Sequence, residues 1–258
     1  MNRPGTLQRF AGVVALLFAS TNSFAPARQL ENDPKFPFPE KLTYDVEWRM
    51  LSAGQAVVEL KQGNPHAWNI DLNLTSAGLV SRLYKILDVY KSSTNDRFCA
   101  ENTFLDAQEG KKHTLTRLNF DNTRHKVDYD EHDLVKNSTA KRDLDIAPCT
   151  YEVMGAFAAL RVMDIEPGHT VTLPITDGKK MAYAKIQAQA KENITVNGKG
   201  YATVRYEAFL FDNVLYKRKG RLLLWLTDDA ERLPVQFRMQ MGFPIGTITV
   251  ELVKQEKL

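Results

Sequence analysis

Three observations predict a mainly β protein. Apolar and polar residues alternate over most of the chain, turn residues recur at hairpin spacing, and only two stretches carry a helical period. The expected architecture is a curved antiparallel sheet, or a flattened, half-open β-barrel. It packs around one central helix, with a second short helix beside it.

The first three strands are the clearest. Leu42-Thr-Tyr-Asp-Val-Glu-Trp48 alternates as a half-buried strand should, Ser52-Ala-Gly54 turns, and residues 55–61 continue as its partner. After Gly63-Asn-Pro65, Trp68, Ile70, Leu72 and Leu74 fall on one face of a third strand. The period then changes. Leu79, Val80, Leu83, Tyr84, Ile86 and Leu87 recur at three and four residues, predicting a short amphipathic helix over residues 78–90. Strands resume at residues 91–98, 114–120 and 125–129, followed by a polar hairpin edge or loop at 130–145. Thr150 is the expected cap of a largely buried helix over residues 151–163, with Glu152 in its first turn. The last third reads as strand and turn, with Asp177-Gly178, Asn197-Gly198 and Asp228-Asp229 at the turns.

Residues 1–27 read as a secretory signal peptide. Arg3 and Arg9 precede the apolar run at residues 10–19, and Ala25-Pro-Ala27 supplies the small-x-small site, with cleavage expected near Ala27. The run is far shorter than the roughly 20 residues of a spanning helix. An extended, proline-rich lead-in at 28–40 and a single β-rich domain at 41–258 follow. Localisation in the periplasm, with no transmembrane segment in the mature chain, is the resulting expectation.

Removing residues 1–27 lowers the net charge from +3 to +1, because two arginines and no acids leave. That balance argues against nucleic acid as a partner. The one dense basic cluster, Tyr216-Lys-Arg-Lys-Gly-Arg221, is expected to be a solvated loop or strand edge. Cys99 and Cys149 are the only cysteines, and an even count in an exported chain favours a disulfide between them. Metal ligation and thiol catalysis both lack supporting residues nearby.

Catalytic motifs are not found. The five histidines are scattered, GxSxG and glycine-rich phosphate loops do not occur, and Asp228-Asp229 with Glu231 suits a turn. The sequence therefore predicts no enzyme, no cofactor and no metal. Aromatic supply is the stronger signal. Trp48, Trp68, Tyr84, Phe157 and Trp225 are either core residues or the lining of a concavity for an amphiphile.

An ordered set of segments also carries a resemblance. Residues 42–48 with Ala53-Gly-Gln-Ala56, Ser76-Ala-Gly-Leu-Val-Ser-Arg-Leu-Tyr84, Cys149 to Arg161, Leu224-Trp-Leu-Thr-Asp-Asp229, Leu233-Pro-Val235 and Gly246 resemble the bacterial exported family known as domain of unknown function 3108. The resemblance implies an exported, mostly β protein of Gram-negative bacteria. A cysteine just before the central helix in some relatives agrees with the disulfide, and no catalytic residue is carried over.

Two functions follow as expectations: a non-catalytic carrier of a lipid, other amphiphile or envelope glycan, or an envelope scaffold that binds a protein partner. An enzyme on cell-wall or glycan substrates ranks third. An apolar cavity of roughly 300 Å³ or more separates the first from the second.

Overall fold

The computed structural model describes residues 36–64 and 66–258. The signal peptide expected at residues 1–27 and most of the lead-in lie outside the described residues. The alternating segments form strands β1 (Glu40–Trp48), β2 (Leu51–Gln62) and β3 (Ala67–Ser76), each paired antiparallel with the next. Helix α1 (Gly78–Leu83) leads into β4 (Ile86–Asn95), β5 (Ala100–Glu109), β6 (Lys112–Asp121), β7 (Lys126–Asp133) and β8 (Ser138–Asp145). Helix α2 (Val153–Val162) precedes β9 (Thr170–Thr176), β10 (Met181–Val196) and β11 (Lys199–Phe209). Strands β12 (Gly220–Thr227), β13 (Pro234–Met241) and β14 (Thr247–Lys257) complete the fold.

These strands make one 14-stranded antiparallel sheet. Two meanders, β1 to β8 and β9 to β14, join where β1 pairs with β14, leaving β8 and β9 as the edges. The sheet is thus a half-open barrel whose edges are not joined by a ladder. Near the gap, Leu118, Val127, Tyr129 and Ile146 bury side chains with Met181 against them. Lys179 Nζ also reaches Glu131 at 2.8 Å, tying the β9–β10 turn to β7. Register shifts at Thr43/Tyr44, Val46/Glu47 and Trp225/Leu226 mark bulges, which bend and twist strands locally.

Three details differ from the sequence reading. The helix expected to reach Tyr90 ends at Leu83, and Ile86 to Tyr90 belong to β4. Strand β5 was not legible, because Glu101, Asn102, Asp106 and Gln108 give it little β propensity. Glu152, not Thr150, caps α2: its carboxylate accepts from the backbone N–H groups of Met154 and Gly155. Thr150 instead donates to the Ala147 carbonyl at 2.7 Å. The polar segment at 130–145 is the edge hairpin β7–β8.

The expected disulfide is present. Cys99, just before β5, bonds Cys149, just before α2, with a Cα–Cα distance of 4.7 Å. It fastens the start of α2 to the β4–β5 turn, which lies at the same end of the sheet as the β2–β3 and β12–β13 turns. Two apolar clusters flank the cavity and share Val58 and Phe237 at their border. The larger packs α2 against the strands, and the second joins Leu42, Tyr44 and Ala56 of β1 and β2 to Leu223, Trp225, Val235 and Leu252 of β12 to β14.

Candidate functional site

Strand alternation aims every second side chain into the hollow of the sheet. Val46, Val58 and Leu72 do so from one meander, and Leu224, Phe237 and Val250 from the other. Between them lies a cavity of about 1330 Å³, with walls that are overwhelmingly apolar. Helix α2 forms its floor through Met154, Phe157 and Leu160. The mouth lies at the opposite end, among the β1–β2 turn, α1, and the loops that precede β12 and β14.

The floor carries an ion pair. Arg161, at the end of α2, meets the Glu40 carboxylate, and both side chains are at most 5% exposed. Arg161 also donates from Nε to the Arg232 carbonyl at 3.0 Å and from Nη2 to the Glu231 carbonyl at 3.1 Å. Its guanidinium lies 3.6 Å from the centre of the Phe36 ring. Gln255 donates to the other Glu40 oxygen at 2.9 Å. Tyr44, also in the wall, gives its hydroxyl proton to the Pro234 carbonyl at 2.9 Å. Burial holds that phenol well above its ordinary pKa range. The polar groups at the base are therefore paired with one another rather than presented to the hollow.

Beside the floor, Tyr90 donates to Glu152. Burial raises the pKa of both groups. Glu152 is occupied as the helix cap, so this pair anchors α2 to β4. Near the mouth, burial and then the negative charge of Glu109 push the Asp88 carboxyl up to about 6. Burial pushes the Tyr216 phenol up to about 12.

The rim is tied together by aromatic and basic side chains. Trp48 Nε1 donates to the Ile245 carbonyl at 2.6 Å, joining β1 to the β13–β14 turn. Arg49 lies over the Trp48 ring at 5.2 Å, donates to the same carbonyl at 3.2 Å, and also donates to the Pro244 carbonyl. Arg49 and Met50 both hold positive φ, 51° and 66°, as a two-residue hairpin turn requires. Asn-Gly is the easy choice there, so Arg and Met cost backbone energy. Tyr84 rests on Gly110 (φ 60°), where a Cβ would stand 2.7 Å from its ring.

Of the five aromatic residues singled out from sequence, Trp48 and Tyr84 line the mouth and Phe157 lines the floor. Trp68 and Trp225 do not line the cavity. Trp68 shares the inward face of Ile70 and Leu72 but stacks on Phe98, with ring centres 6.2 Å apart, in the core beyond the floor. Trp225 points outward because Leu224 and Leu226 take the inward positions. It donates to Glu192 at 2.6 Å and packs in the second apolar cluster with Leu223 and Val196, the last from the β10–β11 hairpin. Sequence reasoning missed Glu40, Arg161, Arg49 and Phe243. An arginine at the end of the apolar run Val153–Val162 was the visible signal for a buried pair.

The expected turn at Asp228-Asp229 is present. Asp229 accepts from the backbone N–H groups of Glu231 and Arg232, both at 3.0 Å. Among the described residues, no group of three or more His, Cys, Asp or Glu side chains could hold a metal ion. None of their helices is long and apolar enough to cross a membrane.

A family model described as "Protein of unknown function (DUF3108)" matches residues 43–253. No curated protein matches the chain. Among solved structures, a β-barrel-like protein of domain of unknown function DUF1849 from Brucella abortus aligns over 86% of this chain and 98% of its own. Its TM-score is 0.54 at 10% identity, a likeness of fold alone. A Bacteroides fragilis protein with a YmcC-like fold aligns over 87% of this chain and 100% of its own, at 10% identity and a TM-score of 0.38.

Proposed function

The chain belongs to the DUF3108 family, and we propose that this member is a non-catalytic binding or carrier module for an amphiphile, working in the periplasm. The observation that carries this reading is the cavity. At about 1330 Å³ it exceeds the roughly 300–1,000 Å³ of ordinary small-ligand sites. Its apolar walls suit an acyl chain, which contributes about 0.8 kcal/mol per buried methylene.

Amphiphile is favoured over glycan by the placement of polar groups. A sugar needs hydrogen-bonding side chains along its length, whereas here Tyr44, Glu40 and Arg161 are already engaged at the base. Polar contacts remain at the mouth, where Arg49 and Arg218 join the lining. The reading therefore seats an apolar tail on α2 and a headgroup, preferably anionic, at the rim. The same distribution argues for binding rather than catalysis, because no acid and base converge on the hollow. The Cys99–Cys149 disulfide supports an oxidising compartment.

Native mass spectrometry of protein purified gently from the envelope fraction tests the reading. A retained lipid-sized mass is expected. Only ligand-free protein, from preparations that keep lipid on a control carrier, would remove the main support. N-terminal sequencing of the same material should start at or near Arg28, and an intact Met1 would overturn the localisation.

A further inference from the structure

The end of the barrel that opens carries the two most exposed large apolar side chains among the described residues. Met50 is 90% exposed at the tip of the β1–β2 turn, and Phe243 is 94% exposed in the β13–β14 turn. Leu79 and Leu83 of α1 are 58% and 69% exposed, and Leu51 and Tyr84 adjoin them. Strand pairing fixes this gathering at one end. Trp48 pairs with both Leu51 and Ile248, Gly54 pairs with Ser76 at the end of β3, and Ile86 pairs with Glu109. Three separate segments therefore present large apolar side chains around a single opening.

Cations flank them. Arg49, Arg82 and Lys85 lie on the same turns, and Lys111 and Lys112 extend the β5–β6 turn on which Tyr84 rests. Lys217, Arg218 and Lys219 lie on the loop between β11 and β12, at the same end. Glu109 and Asp212 are the acids in these segments. The basic cluster that the charge balance left as a plain solvated loop is thus part of the rim.

We propose that this rim docks on an anionic lipid bilayer, with Met50, Phe243, Leu79 and Leu83 entering the headgroup–acyl boundary and the lysines and arginines facing lipid phosphates. Isolated apolar tips interspersed with cations match the chemistry of that boundary. Below the polar groups of the mouth the lining is predominantly apolar down to the floor, so the tail of a chain leaving the bilayer would pass from one apolar medium to another. The strained Arg49-Met50 turn has its explanation here, as the tip that carries one cation and one insertion residue. The purpose of docking rests on the amphiphile reading, but docking itself is measured independently.

The test is flotation of the purified protein with vesicles of phosphatidylcholine alone or with about 30% phosphatidylglycerol. Binding to the anionic vesicles is expected, weakened by about 0.5 M salt. The variant Met50→Ser/Phe243→Ser should lose about tenfold or more of it at an unchanged melting temperature, since both side chains are exposed in the folded protein. Lys217→Glu/Lys219→Glu should lose binding to anionic vesicles while keeping the fold. Absence of binding to either vesicle, or equal binding by the serine variant, would overturn the proposal, and a soluble acidic protein would then be the rim's partner. Titration with a soluble single-chain amphiphile separates the two readings. Vesicle binding without amphiphile binding refutes the cavity function alone, and the reverse refutes docking alone.

Discussion

Replacing Arg161 with Met keeps the length of the side chain against Phe36 and removes its charge. Glu40 would then stay 1% exposed with only the Gln255 amide as a side-chain partner, at 2.9 Å. The carbonyls of Glu231 and Arg232 would also lose their donors. Breaking a buried pair from one side costs about 3–5 kcal/mol, because the remaining charge is uncompensated. For a domain of this size that lowers Tm by about 6–20 °C. The double variant Glu40→Gln/Arg161→Met, with no charge stranded, should recover at least half of the loss. Urea unfolding followed by circular dichroism measures both. An Arg161→Met variant within about 1 kcal/mol of the parent would refute the view that the pair holds the floor in place.

Two further outcomes follow from the same structure. Reduction of Cys99–Cys149, which closes a separation of 50 residues, should cost about 3–4 kcal/mol and lower Tm by about 6–16 °C. Superimposable melting curves with two free thiols would contradict this. Asp88, raised to about 6 by burial and Glu109, has an ordinary value near 3.9 when unfolded. Between those values the folded state holds more protons, so this group makes stability fall as pH rises from about 4 to 6, and the loss then levels off. Asp88→Asn keeps an acceptor for the Gln108 N–H and removes that decline. After allowance for solvent screening it should gain about 1 kcal/mol at pH 7, and parallel Tm–pH curves for the two proteins would contradict the assignment.

The strands were legible where one face is solvated. In β1 to β3, polar residues alternate cleanly with Tyr44, Val46, Ile70 and Leu72, so both the strand and its inward face could be read. Legibility failed where both faces are covered. Leu222 to Leu226 is a continuous apolar run, and nothing local tells that Leu224 faces the hollow and Trp225 faces away from it. The same ambiguity turned Ile86 to Tyr90 into an apparent helix, because β4 carries apolar residues on both faces there.

The site was harder to read than the fold. Trp48, Tyr84 and Phe157 meet around one space only because β1 joins β14 and α2 crosses the far end. Those are pairings between distant segments that carry no local mark. The floor pair is separated by 121 residues, and only Arg161, at the end of an apolar helix, carries a local mark of burial, with none to name Glu40 as its partner. Met50 and Phe243 fell in turns, where a sequence reading expects no large apolar side chain to matter. Their significance comes from register, which places both turns at the mouth.

Calorimetric titration with a soluble single-chain amphiphile, on the parent protein and on Leu72→Glu, bears most directly on the cavity. Leu72 lines the wall, and a carboxylate there would have to be buried by any tail that enters. The parent should bind with a dissociation constant of about 100 µM or tighter, the strength one myristoyl-length chain reaches with a bilayer. Leu72→Glu, with an unchanged far-UV spectrum, should bind at least about tenfold more weakly. No binding by the parent, or equal binding by the two proteins, would mean that the hollow is not a site for an apolar chain.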